Sequence, residues 1–89
     1  MTDPDADLLR FPTDYPIKVV GRADPALRGR IDAVVLRHVP DLAQERVSER
    51  VSGAGNFVSI TYVVVARSRE QVIALVEELA SSEGVVMVI

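Results

Sequence analysis

The stretch SGAGNFVSITYVVVA, residues Ser52 to Ala66, carries the strongest structural signal in the chain. Its first part holds two glycines and an asparagine, which is typical of a loop that turns the chain. Its second part, from Asn56 to Ala66, is apolar and rich in β-branched residues, which favours a central strand. The side chains of this strand alternate, with Val58, Ile60, Tyr62 and Val64 on one side and Phe57, Ser59, Thr61, Val63 and Val65 on the other.

Two amphipathic helices flank this strand in the sequence. Asp24 is predicted to cap the first helix, with Pro25 at its first position and Pro40 ending it. Ser68 and Gln71 match the capping box and predict the start of the second. The buried faces predicted from helical spacing are Leu27, Ile31, Val34, Val35 and His38 in the first helix, and Val72, Leu75, Val76 and Leu79 in the second.

Three further strands complete the prediction, at Ile17 to Gly21, Glu45 to Ser52 and Val85 to Ile89. The order strand, helix, strand, strand, helix, strand predicts an α+β, ferredoxin-like βαββαβ sandwich, a four-stranded antiparallel sheet with two helices on one face. The last strand is expected at a sheet edge. Residues 11–89 are predicted to form this single domain, and residues 1–10, which contain Asp3, Asp5 and Asp7, a flexible tail.

Composition limits the classes of function. The chain has 89 residues, a net charge of −3 and no cysteine. The absence of cysteine excludes disulfides, thiolate metal sites and a cysteine nucleophile, and it fits a cytoplasmic protein. The acidic balance argues against nucleic-acid binding, and no apolar run is long enough for a membrane span. We therefore expect no metal, cofactor, nucleic acid or membrane partner.

The glycine loop does not match the phosphate-binding motifs. Gly53 and Gly55 begin a G-x-G pattern, but Val58 stands at the third glycine position and a strand follows instead of a helix. The simplest interpretation is a hairpin loop in which both glycines and Asn56 supply positive φ, and the alternative is a loop that binds a ligand. The aromatic pattern of RNA-recognition domains matches only Phe57 and Val58.

Two other groups of residues have both structural and functional interpretations. His38 is the only histidine, and it predicts either a residue packed at a helix end or an acid–base group beside a serine or aspartate. Four arginines lie around the first helix and predict either a solvated face beside Asp24 and Asp32 or an anion site. These arginines are Arg22, Arg28, Arg30 and Arg37.

Five segments together resemble the YbeD-like family of small bacterial proteins of unknown function: LLRFPTDYPIKVVG, RHVP, ERVSGAGNFVSIT, SREQ and VVMVI. The resemblance extends from Leu8 to Ile89, and it departs at Phe57, where the family often has tyrosine. It implies a ferredoxin-like fold similar to ACT regulatory domains, which bind small ligands, often amino acids, at subunit interfaces. A role in regulating lipoate metabolism is proposed for that family, which has no agreed catalytic residues.

These observations predict a non-enzymatic regulatory or binding module. Since the helices cover only one side of a sheet whose strands are apolar on both sides, a free face or edge is expected to contact another protein or a second copy in a homodimer. The alternative is an ACT-like sensor of an amino acid or cofactor, with a small molecule near the Gly53–Asn56 loop. The predicted ligand or partner-binding residues are Gly53, Gly55, Asn56, Phe57, Ser59 and Thr61.

Overall fold

The computed structural model describes residues 10–89, so most of the predicted N-terminal tail lies outside the described residues. The elements follow the predicted order. They are β1 (Thr13–Arg22), α1 (Leu27–His38), a 3-10 turn (Gln44–Arg46), β2 (Val47–Val51), β3 (Phe57–Ala66), α2 (Arg69–Ala80) and β4 (Val85–Val88).

The sheet has the strand order β2-β3-β1-β4, and all of its pairings are antiparallel. This order confirms the ferredoxin-like prediction, with β4 at one edge and β2 at the other. Strand β1 begins earlier than predicted and includes Pro16. The Lys18 N–H bonds to Ile89 on the β4 side, so the Pro16 nitrogen, two residues earlier, points to the same side beyond the end of β4. No ladder donor is needed there, and proline is tolerated.

The core lies between one face of the sheet and the two helices. The sheet contributes alternate residues of its central strands, such as Ile17, Val19 and Ile60, and the helices contribute the face predicted from their spacing. The fully buried side chains from the helices are Leu27, Ile31, Val35, Leu75 and Leu79. Apolar burial of this kind is the main stabilising contribution in a domain of this size.

The start of α1 differs from the prediction. The helix begins at Leu27, and Asp24 is not its N-cap. Asp24 Oδ1 instead accepts a hydrogen bond from the Ala26 N–H at 2.9 Å. Pro25 therefore lies in a turn that Asp24 stabilises just before the helix, because aspartate bonds readily to the backbone two residues ahead.

The start of α2 matches the capping prediction in part. Ser68 Oγ accepts from the Gln71 N–H at 3.1 Å, as expected for an N-cap. The Gln71 side chain does not bond back to Ser68. Its Oε1 accepts from the Arg67 N–H at 2.6 Å, and its Nε2 donates to the His38 carbonyl at 3.0 Å. Gln71 thus joins the start of α2 to the end of α1.

Gly21 lies where β1, α1 and the turn before β4 approach closely. A Cβ at this position would meet Leu27 Cδ2 at 2.7 Å and the Gly84 carbonyl oxygen at 2.8 Å. The β1–β4 register also shifts here, since Val20 pairs with Met87 and Gly21 with Val85. This bulge turns the Val86 side chain away from the core, and the side chain is exposed to solvent.

Candidate functional site

The sheet face that the helices leave uncovered, termed here the open face, is the main candidate surface. Burial along β1 and β3 alternates, so every second residue points away from the core. The strand registers then assign the residues of the other strands to the same face. The open face comprises Asp14, Pro16, Lys18, Val20, Arg22, Ser48, Arg50, Phe57, Ser59, Thr61, Val63, Val65, Met87 and Ile89.

Large apolar side chains on this face are accessible to solvent. Phe57 is 39% exposed, Met87 50% and Ile89 71%. Single exposed apolar residues are ordinary, but several on one sheet face mark a surface suited to a partner.

Three cations on the open face make no ion pair within residues 10–89: Lys18, Arg22 and Arg50. Five arginines elsewhere in the described range do form ion pairs. Arg28 contacts Asp32 at 2.9 Å and Glu49 at 3.1 Å. The other arginine ion pairs are Arg30 with Asp24, Arg37 with Glu78, Arg46 with Asp14 and Arg67 with Asp41. The predicted solvated arginine face is therefore confirmed for Arg28 and Arg30, whereas Arg22 belongs to the open face.

Two adjoining hollows lie on the open face. The first, of about 370 Å³, is lined by Val20, Arg50, Val51, Ser52, Gly53, Phe57, Val58 and Ser59. The second, of about 360 Å³, is lined by Lys18, Ser48, Glu49, Arg50, Ser59 and Thr61. Arg50 and Ser59 belong to both, so a largely apolar hollow adjoins one lined by cations and hydroxyls.

Four of the predicted site residues, Gly53, Phe57, Ser59 and Thr61, line these hollows. Gly55 and Asn56 do not, and they shape the loop instead. Gly55 has φ +74°, and the Asn56 carbonyl accepts from the Ala23 N–H at 3.0 Å.

The prediction that Gly53 and Asn56 also take positive φ is wrong. Ser52 closes the loop instead. Its carbonyl accepts from the Gly55 N–H at 2.9 Å and its hydroxyl from the Phe57 N–H at 3.2 Å. These two bonds need only one left-handed residue.

The sequence prediction omitted Lys18, Ser48, Val20 and Arg50 from the site. The sequence pattern could have placed Lys18 and Val20 on the open face, because they alternate with Ile17 and Val19, which form the apolar side of the strand. The pairing of Arg50 with Ser59 and of Ser48 with Thr61 depends on register, which one sequence does not specify.

His38 lies between the helices, on the other side of the sheet. Its Nε2 is 2.7 Å from Glu78 Oε1, and Glu78 also accepts from Arg37. The hydrogen bond from His38, followed by that from Arg37, lowers the pKa of Glu78. The acid–base hypothesis required a serine or aspartate beside His38, and its side-chain partner is Glu78.

A polar network supports the edge of the second hollow from the core side. The buried Tyr62 hydroxyl donates to Asp32 at 2.5 Å, and Arg28 bridges Asp32 to Glu49. Burial, together with the hydrogen bond to Asp32, raises the pKa of Tyr62, so the phenol stays protonated. Glu49 lines the second hollow with its carboxylate held by Arg28.

Two classes of feature are absent from residues 10–89. No group of three or more histidine, cysteine, aspartate or glutamate side chains is arranged to hold a metal ion. Neither helix in this range has the length and apolar character needed to cross a bilayer.

Sequence comparison identifies the family. The model of the family described as "Protein of unknown function (DUF493)" matches residues 6–89. A UPF0250 protein of Janthinobacterium sp. (strain Marseille) is 42% identical over 89% of this chain and 87% of its own length. A UPF0250 protein of Shewanella woodyi is 44% identical over 89% of this chain and 88% of its own. The chain belongs to the DUF493 family, which confirms the predicted resemblance to small bacterial proteins of unknown function.

Solved structures confirm the ACT-like fold. The crystal structure of the ACT domain from GTP pyrophosphokinase of Chlorobium tepidum superposes with a TM-score of 0.63 at 16% identity, covering 86% of this chain and 97% of that domain. The C-terminal domain of the MgtC protein from Mycobacterium tuberculosis gives a TM-score of 0.67 at 19% identity, covering 91% and 88%. At these identities the likeness is one of fold.

Proposed function

We propose that this DUF493 protein is a non-enzymatic regulatory or adaptor module that binds another protein through its open face. The observation that carries the proposal is the contrast in charge pairing: Lys18, Arg22 and Arg50 lack ion pairs within residues 10–89, while the arginines beside the helices have them. Unpaired cations beside exposed apolar side chains suit a protein interface, where arginine and aromatic residues contribute much of the binding energy.

The test uses a photo-crosslinking amino acid at two positions. Thr61 lies at the centre of the open face and is partly exposed, and Ile73 is an exposed residue of α2. In the host cell, the probe at position 61 should link the protein to one species of defined mass that the probe at position 73 does not capture. Equal capture at both positions, or none at position 61, would contradict the proposal.

The β4 edge is the proposed contact between two copies of the chain. Its sequence is apolar, with Val86, Met87 and Ile89 exposed. The opposite edge, β2, carries Ser48, Glu49 and Arg50, and charged residues discourage edge pairing. A homodimer that extends the sheet through β4 leaves the open face accessible to a partner.

Sedimentation of purified protein tests the dimer. Val86→Lys on the β4 edge should shift the population toward monomer, because it places a charge in an apolar contact. Val51→Lys is the matched control, since Val51 is an exposed valine on the β2 edge. A wild-type monomer at high concentration, or an equal effect of both substitutions, would rule out this interface.

The second candidate is an ACT-like sensor of a small molecule. The first hollow supports it, because Gly53 and Phe57 bring the glycine loop beside an apolar depression. An amino acid or cofactor bound there should raise the thermal midpoint of the wild type and not that of Val20→Asp. A screen in which no compound moves the midpoint would count against this candidate. Either function is proposed for a cytoplasmic protein.

A further inference from the structure

We infer that the open face recognises an acidic segment of a partner protein, with a carboxylate in the second hollow and an apolar side chain in the first. This inference rests on the proposed function and specifies the chemistry of the partner. It makes the Lys18–Arg50 hollow a carboxylate-binding site.

The strand register sets the positions of the two cations. Lys18 on β1 lies opposite Thr61, and Arg50 on β2 lies opposite Ser59. Thr61 and Ser59 are neighbours on the same face of β3, so the two cations flank them from either side. With the usual strand spacing and rise, the backbones of Lys18 and Arg50 are about 12 Å apart. Side chains of this length can converge on one anion between them, and arginine can do so with two donors.

Three hydroxyl-bearing residues, Ser48, Ser59 and Thr61, line this hollow. The Ser48 and Thr61 hydroxyls make no side-chain hydrogen bond with residues 10–89, and Ser59 Oγ donates to the Arg50 carbonyl at a long 3.5 Å. Hydroxyls are free to rotate and to donate to a carboxylate. Glu49, the one acid in the lining, is occupied by Arg28 at 3.1 Å.

The adjoining apolar hollow sets the sequence pattern of the ligand. Its lining includes Val20, Val51 and Phe57, and it meets the second hollow at Ser59. Phe57, Ser59 and Thr61 are successive residues on one face of β3, so the two hollows are displaced by two residues, about 7 Å. An extended segment with the pattern acidic–any–apolar places one side chain in each.

Charge also argues against a second copy as the occupant of this face, because its acid, Asp14, already pairs with Arg46. Two open faces placed together would oppose Lys18, Arg22 and Arg50 with the same cations, and like charges across an interface are unfavourable. RNA is disfavoured because Phe57 is the only aromatic side chain on the face and the chain has a net charge of −3. Both hollows are open and most of their lining residues are exposed, which suits side chains of a partner better than an enclosed small molecule.

The test is a titration of full-length, nitrogen-15-labelled protein followed by NMR at low salt. The probe is the peptide acetyl-Glu-Ser-Val-Glu-Ser-Val-amide, and the comparison peptide replaces each glutamate with lysine. The acidic peptide should shift the amide signals of Ser59, Thr61 and their neighbours, and added salt should weaken binding. The lysine peptide should leave these signals in place.

Charge-removing variants provide the matched control. Lys18→Gln combined with Arg50→Gln should raise the dissociation constant of the acidic peptide by about fivefold or more, because both cations proposed to bind its carboxylate are lost. Arg37→Gln combined with Arg67→Gln removes the same charge from ion pairs elsewhere and should change it by about twofold or less. The spectrum of each variant reports that it is folded. Equal effects of both pairs, binding of the lysine peptide, or tighter binding of an oligouridylate at these signals would overturn the inference.

The crosslinking experiment separates this inference from the proposed function. If Lys18→Gln with Arg50→Gln leaves the partner crosslinked at position 61, the acidic-segment inference fails and the open face remains the binding surface. If the wild type captures no partner there, the proposed function itself fails.

Discussion

The two faces of the sheet are built from the same strands, yet they differ in the burial of their apolar side chains and in the pairing of their charges. Between the sheet and the helices apolar residues are buried, and arginines beside the helices meet carboxylates. On the open face, apolar residues remain exposed and Lys18, Arg22 and Arg50 have no carboxylate partner within residues 10–89. The packing between sheet and helices accounts for stability. The exposed apolar side chains and unpaired cations of the open face do not contribute to that packing, so we assign binding to them.

The largest expected effect tests this division at adjacent residues of β3. Ile60 points into the core, and Thr61 points to the open face. Ile60→Ala should lower the free energy of unfolding by about 2–5 kcal/mol, because it removes buried methylenes and leaves a cavity. Thr61→Ala should cost about 1 kcal/mol or less, the range of strand propensity. Urea unfolding measures both free energies, and equal losses from the two variants would contradict the contrast between the buried and the open face.

The close approach at Gly21 gives the next largest effect. Gly21→Ala should lower the free energy of unfolding by about 1–3 kcal/mol, because the new methyl group would overlap the Gly84 carbonyl and Leu27. Gly53 on the loop has nothing within 4 Å of its Cβ position, so Gly53→Ala is the matched control with little expected loss. Thermal unfolding distinguishes them, and a stable Gly21→Ala variant would contradict the described packing of β1 against α1.

A smaller effect of opposite sign is expected in α1. Gly29 lies inside the helix with open space around its Cβ position. Gly29→Ala should raise the free energy of unfolding by about 1 kcal/mol through helix propensity. Gly55→Ala is the contrasting control and should lower it, because Gly55 has φ +74°. A destabilised Gly29→Ala variant would mean that this side of α1 is covered.

The smallest effect is the pH dependence of the ion pair between the helices. His38 and Arg37 lower the pKa of Glu78. The Glu78 carboxylate therefore makes its full contribution to stability at any pH above 4.5, the ordinary pKa of glutamate. That contribution is lost as pH falls through the lower folded-state pKa. The stability gap between wild type and Glu78→Gln should therefore be present at neutral pH and close in acid. Glu77→Gln is the control, since Glu77 makes no ion pair within residues 10–89; a gap that widens in acid would contradict the assignment.

Much of the fold follows from local patterns in the sequence. Alternation in β3 separated its two faces, and the helical spacing of Leu27, Ile31, Leu75 and Leu79 identified the buried faces of the helices. Of the two capping details that failed, one is a local turn and the other is set by tertiary contact. Asp24 lies two residues before the N-cap position because the turn at Pro25 intervenes, and Gln71 bonds to His38 across two helices. The Gln71 partner lies in another element and is not visible from one segment alone, whereas Asp24 and Ala26 lie in the same turn.

The candidate site was predictable only along its own strand. Phe57, Ser59 and Thr61 follow from the alternation of β3, whereas Lys18, Ser48 and Arg50 join them through registers with two other strands. Register depends on the combined packing of the sheet. The pairing state of a cation likewise depends on which acids the fold places nearby, as Arg28 and Arg50 illustrate on adjacent elements.

The most direct test of the account is native mass spectrometry of the protein isolated gently from its own host, for the wild type, Val63→Asp and Ile73→Asp. Val63 lies on the open face, and Ile73 is an exposed residue of α2. The account predicts that the wild type and Ile73→Asp carry the mass of a second, different protein and that Val63→Asp does not. Retention of that mass by Val63→Asp, or its loss only from Ile73→Asp, would contradict the assignment of binding to the open face.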